Sequence, residues 1–152
     1  MAKWNIGKPL SLLTKEKIII GRKNLFKWVK DNNLADLLIR DFAIGNICLK
    51  NRLNKPSIIL YSGVLEAILA YVNKNKKANF ASLIEYSYRK KFITESNRNK
   101  LQVIRDFRNY VHLNREAVGD FELTDGIAQL AQETCESVLK GLINQKVNLD
   151  LS

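Results

Sequence analysis

The chain has 152 residues, 46% of them hydrophobic and 26% charged, with 25 Lys and Arg against 15 Asp and Glu. That length fits one domain, and the balance of apolar and charged residues excludes a disordered chain. A net charge of +10 favours polyanionic partners and speeds encounter with them, without separating RNA from DNA or from an acidic protein.

One histidine and two separated cysteines argue against a four-ligand zinc site, so neither a metal nor another cofactor is expected. Cys48 and Cys135 lie in apolar helical patterns, as buried thiols in a reducing compartment do. The opening MAKWNIGKPL has neither an apolar h-region nor an A-x-A site. The longest apolar run, SIILYSGVLEAILAYV, is interrupted by Glu66 and is short for a membrane span. A cytoplasmic location is expected.

In chain order, residues 1–30 form an extension with no clear pattern. An ambiguous strand-like KIII occupies Lys17 to Ile20, and a short helix is expected near Asn24 to Lys30. LADLLIRDFAIGNICLKNRL then places Leu34, Leu37, Leu38, Ala43, Ile44, Ile47 and Cys48 at roughly helical spacing. NKPS offers Asn54 as an N-cap with Pro56 in the first turn. From Ser57 to Val72 the chain is apolar almost all round, which predicts a central helix surrounded by its neighbours. KNKKAN is a solvated basic loop, and NFASLIEYSYRKKF a shorter amphipathic helix. Thr94 or Ser96 caps the next helix. LNREAVGDFEL reads as a loop. Thr124 or Asp125 starts a last helix, with Ile127, Leu130, Ala131, Thr134, Val138 and Leu142 on one side. Short connections between such segments imply an all-α antiparallel bundle of about five main helices, forming one domain over residues 1–152.

The segment LQVIRDFRNYVHLN, Leu101 to Asn114, carries the chemistry. At about 100° per residue, Arg105, Arg108 and His112 fall within roughly 60° of one another. Ile104, Phe107 and Val111 form the core stripe beside them, and Asn109 sits on the far margin. Positive neighbours favour the neutral, basic form of imidazole, and arginine forks bind phosphate in a bidentate way. A neutral base beside phosphate-binding guanidinium groups is what metal-free RNA cleavage requires. The base takes the 2′-OH proton, the oxygen attacks the adjacent phosphate, and arginine offsets the developing charge. DNA lacks the attacking hydroxyl. The plain alternative is a helix margin whose Arg and His pair with carboxylates or cap loops. Glu66, a carboxylate in the most apolar helix, needs a partner. Arg105 or Arg108 is the expected one, and an opening to solvent at a gap in the bundle is the alternative.

RDFRNYVH resembles the signature of HEPN domains, helical domains found in prokaryotic toxins and RNA-processing nucleases. Their motif is Arg, four to six residues, then His, with a polar residue just after the Arg. Arg105, Asp106 and His112 satisfy it with six residues between, whereas the gap from Arg108 to His112 is shorter than the motif allows. The buried helix, the SLIEYSYRKKFI helix, the motif helix and a closing helix follow in the order many HEPN proteins show. The resemblance covers about residues 33–145.

The resemblance implies a homodimer whose two motifs meet in a cleft, acting as a metal-independent endoribonuclease of toxin or phage-defence type. Arg105 and His112 would be catalytic, Arg108 and Asn109 would bind phosphate, and Glu66 and Asp106 would orient the arginines. A silencing partner such as a minimal nucleotidyltransferase is also implied. One departure concerns that partner: toxins silenced by nucleotidyl transfer usually carry a Tyr two residues after the His, where this chain has Asn114. Two further readings stay open. One is a non-catalytic HEPN module binding RNA, nucleotide or a protein. The other is a helical scaffold whose charge serves solubility.

Overall fold

The computed structural model describes residues 25–111 and 122–150. They form five α-helices, with no strand among the described residues: α1 Asn32–Lys50, α2 Asn54–Asn73, α3 Phe80–Arg89, α4 Glu95–Asn109 and α5 Asp125–Asp150. The expected all-α bundle is what the chain adopts. Lys17 to Ile20 lie outside the described residues.

The helix expected near Asn24 to Lys30 is instead a turn over its described part. Val29 N–H donates to Phe26 O at 3.0 Å, and Trp28 Nε1 donates to Leu25 O at 2.9 Å. Phe26 and Val29 are both buried. One turn buries two apolar residues three apart, and so short a segment gains little from nucleating a helix. Asp31 then caps α1, its Oδ1 accepting from Leu34 N–H at 3.0 Å.

All four other helices pack on α2. Its Ile58, Tyr61, Leu65, Ile68 and Leu69 are fully buried. α2 meets α1 closely at Gly45, where an added Cβ would lie 2.9 Å from Tyr61 Cε1. Tyr61 Oη donates to Asn46 Oδ1 at 2.6 Å, and Gln132 Nε2 donates to the same oxygen at 3.1 Å, tying α1, α2 and α5 together. Cys48 and Cys135 are buried and unbridged, and burial raises both thiol pKa values.

Two details of α2 differ from expectation. Leu53, not Asn54, occupies the N-cap, and it makes no side-chain capping bond. The Asn54 amide instead donates to Asp125 Oδ1 at 2.9 Å, fixing the start of α5. The helix is also not enclosed. Ile59 is 43% exposed, Gly63 is exposed, and Glu66, Ala67 and Ala70 are only partly covered. Hydropathy cannot separate an enclosed helix from one whose open side carries small residues. With 20 residues and a mean hydropathy of 1.3, α2 could by composition alone cross a bilayer, but half of that window is buried inside the bundle.

Asn79 caps α3 by accepting from Ser82 N–H at 2.9 Å. Thr94, one of the two expected caps, serves α4 through Asn97 N–H at 3.1 Å. A polar clamp joins the two helices. Glu85 receives Arg98 Nε and Nη2, each at 3.0 Å, and Gln102 Nε2 at 2.9 Å. The Arg98 guanidinium also lies 4.8 Å from the Tyr88 ring centroid. This clamp fixes α4, and hence Arg105 and Arg108, against α3.

Candidate functional site

α4 presents Leu101 and Ile104 to the core, both fully buried. Phe107 and Val111, expected to complete that stripe, are only half-buried, and the helix ends at Asn109. Tyr110 N–H donates to Phe107 O at 3.0 Å and Val111 N–H to Arg108 O at 3.3 Å, a tightened last turn. The helical projection that aligned His112 with the arginines assumed a helix running through position 112. It therefore holds for Arg105 and Arg108 and stops there. His112 and Asn114 lie outside the described residues.

Arg108 follows Ile104 by four residues and emerges at the edge of the core, where it meets Glu66. Arg108 Nη1 lies 2.5 Å from Glu66 Oε2, and the two side chains are 36% and 30% exposed. The expected partnership of Glu66 with a motif arginine is thus present, through Arg108. Across from it, the Phe80 ring centroid lies 5.6 Å from the Arg108 guanidinium carbon. Arg105 pairs with its neighbour Asp106, Nη2 to Oδ1 at 2.8 Å and Nε to Oδ1 at 3.3 Å. Asp106 is exposed and Arg105 half-buried, and a pair so close to solvent holds a guanidinium loosely. Asn109 is exposed at the end of the helix.

These residues share one open groove of about 760 Å³, lined by Glu66, Arg105, Arg108, Asn109 and Val111 together with Ile59 and the first residues of α3, Asn79 to Ala81. The α3 contribution was not anticipated from the sequence, although Asn-Phe-Ala-Ser is a legible cap. The first amides of a helix have no intrahelical acceptor. Asn79 takes the Ser82 N–H and its carbonyl takes that of Leu83, and Asn79, Phe80 and Ala81 line the groove. Helix N-termini attract anions through such amides and the helix dipole.

The groove therefore brings two guanidinium groups to the start of α3, Arg108 paired with Glu66 and Arg105 with Asp106. That arrangement can hold a phosphate. Among the described residues no cluster of three or more His, Cys, Asp or Glu could hold a metal ion. Comparison with protein-family models, curated proteins and solved structures gives no significant match to this chain. The class established is an all-α bundle with a basic groove.

Proposed function

We propose that the protein is a metal-independent endoribonuclease of HEPN type, cleaving RNA by attack of the 2′-OH on the adjacent phosphate. The observation that carries this reading is the groove where Arg105 and Arg108 meet the N-terminus of α3. It gathers phosphate-binding groups from two helices beside the segment that leads into the sole histidine. In this reading His112 moves protons, and Arg105 offsets charge at the reacting phosphate. Arg108 and Asn109 hold the phosphate. Glu66 and Asp106 orient the two guanidinium groups.

Cleavage needs one group to take the 2′-OH proton and another to protonate the leaving 5′-oxygen. Arginine remains protonated and suits neither task. A twofold homodimer supplies a second histidine by placing the same patch of each subunit opposite its mate. Toxin or phage-defence activity in the cytoplasm, restrained by a protein partner, fits such an enzyme. Incubation with labelled RNA in EDTA tests the proposal: products ending in 2′,3′-cyclic phosphate support it, and intact RNA under those conditions overturns it.

A further inference from the structure

The groove does not end at Glu66. A second depression of about 530 Å³ begins at the same Glu66 and follows the open side of α2 past Gly63, Ala67 and Ala70 to Tyr71 and Lys76. A third, of about 500 Å³, shares Ala70, Tyr71 and Lys76 with the second and adds Lys74 and Lys77. The three follow one another along α2 through these shared residues, and together they are treated as one track. From Ile59 to the end of α2 it runs roughly 20 Å at 1.5 Å per residue. Small side chains form its floor, and cations stand at both ends.

Five cationic side chains line the track, Arg105 and Arg108 at one end and Lys74, Lys76 and Lys77 at the other. The lining carboxylates are Glu66, paired with Arg108, and Asp31, whose Oδ1 caps α1. That five-to-two bias exceeds the 25 to 15 of the whole chain. All three lysines are exposed. A strip of cations along the open side of one helix can follow a single phosphate backbone.

We infer that a single strand of RNA lies along this track, with the scissile phosphate at Arg105 and Arg108 and a flanking stretch on Lys74, Lys76 and Lys77. The inference rests on the ribonuclease reading and adds to it a substrate class and a second contact region remote from the chemistry. The flanking contact is electrostatic and indifferent to base identity. It favours long single strands over short ones, while specificity for RNA stays with the 2′-OH at the cleavage site.

The test uses the full chain and a fluorescein-labelled, 2′-O-methylated single-stranded oligonucleotide. This ligand binds without being cut, so the readout does not depend on catalysis. Affinity is measured by anisotropy from 50 to 200 mM salt for wild type, for the K74A/K76A/K77A variant and for a K50A/K90A/K140A control. The control removes the same charge from exposed lysines that do not line the track. Circular dichroism checks that both variants are folded.

Each phosphate contact on a single strand contributes about 0.7 to the slope of log affinity against log salt. The track variant should therefore lose about 2 from the wild-type slope, so that its affinity falls about 20-fold less than that of wild type over this salt range. The control should keep the wild-type slope. Equal slopes for the two variants overturn the inference and leave the ribonuclease reading standing. A lost slope in the track variant, together with a wild-type protein that cuts no RNA, sinks the ribonuclease reading and leaves the strand-binding track. Equal affinity for a polyglutamate peptide of matched charge overturns the inference in favour of an acidic protein partner.

Discussion

Replacing Glu66 with glutamine removes the charge facing Arg108 and keeps the side-chain volume. Both partners are about a third exposed, at 30% and 36%, so the ion pair contributes at most about 1 kcal/mol to stability. For a domain of this size the Tm should fall by no more than about 4 °C. The effect on RNA runs the other way. A phosphate held by the far side of the Arg108 guanidinium would sit about 6 Å from the Glu66 carboxylate. The repulsion is then about 0.7 kcal/mol at the dielectric of water and nearly 3 kcal/mol at an effective value of about 20. Removing it should tighten binding by about 3- to 100-fold, and water access to so open a groove places the gain near the lower end. Cleavage at saturating protein should nevertheless slow, because Arg108 is no longer held. The assays are anisotropy with the uncleavable oligonucleotide and single-turnover cleavage of its ribose counterpart. An E66Q protein that binds RNA no better than wild type would refute the reasoning, since the phosphate would not then lie beside Arg108.

Glu85 provides a pH signature elsewhere. Its hydrogen bonds to Arg98, the Arg98 charge and Gln102 hold its carboxyl below the ordinary carboxylate value. The clamp's contribution is then fully present above about pH 4.3 and is lost as pH falls through the depressed value. Thermal melts of wild type and E85Q should converge on acidification from neutral pH, and parallel curves would contradict this. Gly45→Ala should destabilise by about 1–3 kcal/mol, because the new Cβ meets the immobile Tyr61 ring. Gly63→Ala, with nothing within 4 Å, should instead stabilise by up to about 1 kcal/mol; denaturant titration reads both. Cys48 and Cys135 should resist a thiol reagent in the native protein and react together on unfolding, since both are buried and their thiol pKa values are raised.

The bundle was legible because helical periodicity survives in each segment and because a cap such as Thr94 marks where a helix starts. Helix ends were harder to place. The residues that turn the chain in the left-handed region after α1, α2 and α3 are Arg52, Lys74 and Lys91, where glycine would have announced the stop. The Glu66 partnership could be inferred from the cost of an isolated carboxylate on an apolar helix. Which arginine it meets could not, because that depends on how α4 is rotated over α2. The open side of α2 was invisible for another reason. Gly63, Ala67 and Ala70 count as apolar whether they touch a neighbour or floor a groove. The angular projection holds for Arg105 and Arg108, because it is valid only inside a helix and α4 ends at Asn109; His112 lies outside the described residues.

The proposed activity is the cutting of RNA by Arg105, Arg108 and His112 without a metal ion. Its most direct test compares wild type, R105A and H112A on one labelled RNA in EDTA, each protein checked for fold and for freedom from contaminating nuclease. The account predicts cyclic-phosphate products from wild type, strongly reduced cleavage by R105A, and none by H112A, which still binds the uncleavable oligonucleotide. Cleavage by H112A at the wild-type rate would contradict it and leave the groove as a site that binds RNA without cutting it.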